Sequence, residues 1–167
     1  MTTSTIAPTL DRPRATAAVL LAGVSAGILD ILAAFVSAGA RGTGPSRVLQ
    51  AIASGVLGRA AFRAGPEVAA LGLLLHFVIA LGWAAIYYAA SLRLPVLVRR
   101  PVASGALYGI LVAELMHRVV VPLSAAPSFA ESSPLRSTLI RLGIHVVCVG
   151  LPIALVVARY ARREGRP

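Results

Sequence analysis

Glu114, His117 and Arg118 stand close together inside the apolar stretch Val102–Leu123. An acid, an imidazole and a guanidinium do not enter hydrocarbon without compensation. An unpaired charge at the bilayer centre costs at least ~2.5–3.5 kcal/mol. Three kinds of chemistry suit such a group. Glu114 and Arg118 are four residues apart with the acid first, the order that pairs best on a helix. Carboxylates and histidines at membrane depth also serve as proton or ion relays. Glu114-Leu115-Met116-His117 has the i,i+3 spacing that holds metals in di-metal helical bundles. That pattern wants a second copy and more carboxylates, and the sequence has neither.

The other apolar stretches carry their own ionisable groups: Asp30, His76, Arg141 and His145. Arg141, His145 and Cys148 fall on one helical face. His76 and His145 are on different stretches at matching depth, which suits bis-histidine haem ligation. The metal-ligand candidates are therefore His76, Glu114, His117 and His145. Cys148 is the single cysteine, so no internal disulfide or cysteine-cluster metal site forms. In an apolar run it acts as a small hydrophobe. There is no G-x-S-x-G, Walker A, H-E-x-x-H or dinucleotide fingerprint. No catalytic residue and no particular cofactor is indicated. The candidate site is an intramembrane polar cluster of Asp30, His76, Glu114, His117, Arg118, Arg141 and His145.

Long apolar elements must position these groups. Four stretches approach or exceed the ~20 residues needed to span a bilayer as helix. They cover about 15–40, 68–90, 102–123 and 137–158. Between the first two, Val48, Ile52 and Val56 recur every four residues with Arg47, Gln50, Ser54 and Arg59 interspersed. That spacing predicts a short amphipathic helix over about 46–62, interfacial or re-entrant. The fold class is all-α: a four-transmembrane-helix bundle with one extra short helix, forming a single membrane domain over 15–158. Residues 1–14 read as a disordered tail and 159–167 as a basic tail. Arg12 and Arg14 resemble a signal-peptide n-region, but the adjoining apolar run is too long for an h-region. Ser91–Pro101 and Ser124–Arg136 read as loops. Pro122 should end or kink the third helix, and Pro152 should kink the fourth. Trp83, Tyr87 and Tyr88 suit an interfacial aromatic belt. Gly23–Gly27 and Gly105–Gly109 are GxxxG faces that admit a close helix neighbour, including a second copy of the chain in a homo-oligomer.

Composition supports a lipid environment. Hydrophobic residues make up 57% of the 167-residue chain and charged residues 13%, against about a quarter charged in soluble domains. The mean hydropathy is +0.83. The net charge of +10 comes from 16 arginines and no lysine. These lie mostly between the apolar runs, where they meet anionic headgroups. No basic helix, zinc motif or aromatic-studded sheet pattern supports nucleic-acid binding. The absence of lysine beside abundant Ala, Gly, Pro and Arg points to a GC-rich bacterial genome. Arg12, Arg14, Arg93, Arg99, Arg100, Arg159, Arg162, Arg163 and Arg166 fall on the side of both termini. Arg41, Arg47, Arg59, Arg63 and Arg136 fall opposite. This bias favours cytoplasmic termini in a bacterial inner membrane.

Alternating helix directions place the polar groups at one depth. Asp30 and Glu114 lie about nine residues before the ends of helices one and three. His76 and His145 lie about eight residues after the starts of helices two and four. At 1.5 Å per residue, all four sit roughly 12–14 Å from the same face. Three readings are open. The cluster holds the bundle together, or it passes protons, ions or a small solute, or it binds haem or a metal.

Several stretches resemble an uncharacterised family of small bacterial inner-membrane proteins. They are Pro45-Ser46-Arg47-Val48-Leu49-Gln50, Ile52-Ala53-Ser54-Gly55-Val56-Leu57-Gly58, Gly72 through His76-Phe77, Val121-Pro122-Leu123-Ser124 and Gly150-Leu151-Pro152-Ile153-Ala154. The order of a His-Phe in the second helix, a Gly-rich third helix with a His before a proline, and a His in the last helix is similar to YagU-like membrane proteins. The resemblance covers residues 15 to 160. It implies a multi-pass inner-membrane protein and transfers no catalytic residues.

Overall fold

The computed structural model describes residues 12–127 and 134–162. The expected N-terminal tail up to residue 11, the middle of the expected 124–136 loop and most of the basic C-terminal tail lie outside the described residues. Four helices are long and apolar enough to cross a membrane, and no strand occurs among the described residues. The first runs Arg12–Gly39 and the second Pro66–Arg93. The third runs Pro101–Leu115, widens into a π-helical turn at Met116–Val120, and finishes as Val121–Leu123. The fourth runs Pro134–Ile144, passes through a π-helical turn at His145–Gly150, and continues as Leu151–Arg162.

Proline placement sets several of these boundaries. The short helix and the second and third spans each carry Pro in the first turn. Proline is pre-organised there and the missing N–H leaves no bond unmade. The second span therefore begins two residues earlier than its hydropathy indicates, with the Glu67 carboxylate accepting the Gly65 N–H at 2.8 Å. Pro122 and Pro152 act through the turns before them. Proline removes one backbone donor and crowds the carbonyl four residues back. Each span relieves this by widening into its π turn just ahead of the proline.

The short helix covers Pro45–Leu57 and stops earlier than expected. Gly58 has φ +60, the left-handed region that favours glycine, and it opens a 3₁₀ turn over Gly58–Arg63. Arg47 lies 4.2 Å over the Phe62 ring and donates to the Phe62 carbonyl, while Gln50 donates to the Ala64 carbonyl. These bonds fold the 3₁₀ turn back onto the helix. The expected 91–101 loop also contains a helical turn, Val96–Arg99.

The bundle is apolar on the outside and small-residue on the inside. Leu32, Val36, Leu74, Val102, Leu107, Leu139 and Val147 are exposed, while Ala18, Ala22, Ala26, Ala84, Ala113 and Ala154 are buried. Water would not tolerate such a continuous apolar exterior, whereas lipid does. Helices in lipid associate through close packing of small residues. Gly23 and Gly27 receive Leu81 and Phe77 of the second span. Gly105 and Gly109 receive Gly150, Ala154 and the backbone around His145 of the fourth. Both GxxxG faces are thus occupied within one chain. The first span packs between the second and fourth, and the fourth also packs on the third.

The second and third spans meet mainly through an aromatic group at the terminal side. Tyr108 donates to the Trp83 carbonyl at 2.7 Å, and Tyr87 donates to the Leu97 carbonyl at 3.0 Å. The Tyr87 and Tyr108 rings pack edge to face at 4.9 Å. Tyr87 is therefore a core residue and not part of a surface belt, because its hydroxyl finds a carbonyl inside the protein. Toward the opposite side the second and third spans separate, and the short helix fills the opening. It packs on the second span at Gly72, where the Leu49 carbonyl occupies the space of a Cβ. It reaches the third through the Ala125 N–H bonded to the Gly55 carbonyl. Gly72→Val should dislodge it at a cost of about 1–3 kcal/mol. Limited proteolysis at Arg59 and Arg63 would report this, and unchanged cleavage would refute it.

Candidate functional site

The opening between the second and third spans holds a half-open cavity of about 530 Å³. Its walls are mostly aliphatic, with Ile31, Ile52, Ile79, Val112 and Val149 among them. Three ionisable residues line it: Asp30 from the first span, His76 from the second and His145 from the fourth. Trp83 and Met116 complete the wall toward the aromatic group and the third span. The short helix contributes apolar residues only, including Val48 and Ile52. Its amphipathic spacing is thus explained by the cavity it covers.

Hydrogen bonds define the imidazoles. His76 Nε2 lies 2.8 Å from the Gly27 carbonyl, and His145 Nδ1 lies 3.0 Å from the Arg141 carbonyl. A carbonyl oxygen only accepts, so each of these nitrogens carries a proton. His76 Nδ1 and His145 Nε2 have no bond from the described residues. Each ring is anchored by one edge and free at the other. Gly27 lets this happen, because a side chain there would strike the Phe77 ring at 2.7 Å and hold the second span away.

Asp30 differs from the other described carboxylates. Glu67 accepts the Gly65 N–H. Glu114 pairs with Arg118 at 2.6 Å and with Arg141 at 3.2 Å. Asp30 takes no hydrogen bond or ion pair from the described residues. It is half-buried on an apolar wall. A charge so placed carries the ~2.5–3.5 kcal/mol penalty unless water, a proton or a cation in the cavity relieves it.

The single polar layer expected from depth is therefore two groups. Asp30, His76 and His145 share the cavity. Glu114, Arg118 and Arg141 form an ion triad between the third and fourth spans, and none of them lines the cavity. Arg141 also donates to the Ala113 carbonyl at 3.1 Å and to Thr138 at 3.4 Å. The Arg118 side chain is 75% exposed, against 20% for Arg141, so Arg141 is the inner partner. The two groups touch at one point, the His145 bond to the Arg141 carbonyl. His117 sits on the π turn and faces outward, so Glu114 and His117 do not converge.

Among the described residues, no three His, Cys, Asp or Glu side chains come together as metal ligands. For haem, His76 commits its Nε2 to the first span, and the two histidines do not present matching nitrogens. Trp83 and Met116 carry no marker as site residues in the sequence. Their only signal is helical phase: Trp83 lies two turns beyond His76, and Met116 one turn beyond Val112. No protein-family model, curated protein or solved structure matches the chain.

Proposed function

We propose that this is a small bacterial inner-membrane protein with cytoplasmic termini, and that its Asp30–His76–His145 cavity takes up protons and passes a small solute with them. The carrying observation is the Asp30 carboxylate, without a hydrogen bond or ion pair among the described residues, on an apolar wall it shares with His76 and His145. Carboxylates and histidines inside membrane spans serve as relay groups in proton-coupled passage. The arginine bias and the resemblance to small inner-membrane proteins support the placement. The ion triad has its bonds satisfied and serves the bundle, holding the third and fourth spans together. Trp83 lines the cavity toward the terminal side, and Tyr108 donates to its carbonyl.

Proton flux into liposomes carrying a pH-sensitive dye tests this. The wild-type protein should conduct well above empty vesicles. Asp30→Asn should lower the flux at least about tenfold while keeping its helical circular dichroism, the loss being of the size expected when one relay group is removed. Wild-type flux equal to that of empty vesicles would leave the structural reading, in which the polar residues only stabilise the bundle.

A further inference from the structure

We infer that the solute taken by this cavity is a lipophilic monovalent cation, with Asp30 as its counter-ion. The inference rests on the proposed function, because it names what shares the site with protons. Ligand pockets fall in the range of about 300–1,000 Å³ and are largely apolar with a few placed polar groups. The cavity, at about 530 Å³, fits that description. Charge then selects the ligand. Glu114 is held between two guanidiniums, whereas Asp30 has none among the described residues. A cation of low hydration replaces water at Asp30 while its apolar body meets the Ile and Val walls. A small hydrated ion gains nothing from such walls, and an anion would be repelled by the Asp30 carboxylate.

Trp83 adds a second contact. It lines the same wall as His76, seven residues along the second span, or ~10 Å at 1.5 Å per residue. Its indole is the best side-chain face for a cation. A cation carrying aromatic or branched groups reaches Asp30 and Trp83 together. Protonated amines and quaternary cations both fall in the class.

Tetraphenylphosphonium is the probe, added to detergent-solubilised full-length protein. Trp83 is the only tryptophan, so quenching of intrinsic fluorescence reports occupancy directly, and equilibrium dialysis gives stoichiometry. Saturable binding is expected, weakened about tenfold or more in Asp30→Asn and preserved within about threefold in Asp30→Glu, where tenfold corresponds to one decade in Kd. Triphenylphosphine oxide, neutral and similarly shaped, should bind far more weakly. Equal binding of the two probes by the wild-type protein would overturn the inference even if Asp30→Asn failed to fold. So would undiminished binding in a folded Asp30→Asn. An absence of probe binding with proton flux intact would overturn the ligand class alone. Absence of both would overturn the proposed function with it.

Discussion

Gly150→Val should destabilise the bundle by about 3 kcal/mol and separate the third and fourth spans. A Cβ on Gly150 would fall 2.6 Å from the Gly109 nitrogen and 2.8 Å from its Cα, and would also strike the Gly105 carbonyl oxygen. All three are backbone atoms, so no side-chain rotation relieves the clash and the helices must move apart. The interface around it is built from Gly105, Gly109, Val112, Ile153 and Ala154, which gain their packing only at this short separation. In lipid, where burial gives no water-driven advantage, that packing is most of what joins two helices. The fourth span also carries His145, whose own carbonyl lies against Gly109. The variant should therefore lose flux as well as stability. Gly143→Ala is the control on the same helix. Nothing lies within 4 Å of a Cβ there, and alanine should leave stability unchanged or raise it by about 0.5–1 kcal/mol. Thermal unfolding in detergent measures both. A Gly150→Val protein that melts with the wild type would show that the two spans do not depend on this contact.

Glu114→Ala should lower the melting temperature by about 5–10 °C, the shift expected for loss of a multiply bonded ion cluster in a domain of this size. Among the described residues, this carboxylate is the only anion paired with Arg118 and Arg141. Removing it leaves the inner guanidinium, 20% exposed, without a counter-charge. Arg118 is mostly exposed and reaches the interface without help. The double variant Glu114→Ala/Arg141→Leu should recover most of the loss. Breaking a pair leaves a desolvated charge, whereas replacing both members by apolar groups does not. The His145 anchor survives in the double variant, because it uses the Arg141 backbone carbonyl. Proton flux should accordingly persist there. A double variant less stable than either single change would show that the ion pairs contribute net stability.

The helix inventory is legible in the sequence because it obeys local rules. Apolar runs of spanning length and prolines at helix starts act through the chain's own backbone, whereas the early stop of the short helix at Leu57 is not legible from its spacing. Pro122 and Pro152 are legible as distortions, but not as π turns. The position of Asp30, Glu114, His76 and His145 along their spans is legible too, since it needs only residue counts. The inward packing of Tyr87 is not, because an interfacial tyrosine and a core tyrosine differ only in what the hydroxyl meets. Here it meets the Leu97 carbonyl, on a turn that hydropathy does not reveal.

By itself, the sequence determined that this chain is a four-span helical bundle with ionisable groups inside its apolar runs. Only the tertiary structure decided which of those groups face one another. Depth along a helix is counted in residues, but direction around it depends on which neighbour each helix packs against. The π turns at Met116–Val120 and His145–Gly150 add to this, because a widened turn rotates the remainder of its span relative to a regular helix. The result sends Glu114 to the arginines and leaves Asp30 with the two histidines at the cavity. Close approach at Gly27, Gly109 and Gly150 sets that outcome, and it comes from pairs of residues far apart in the chain.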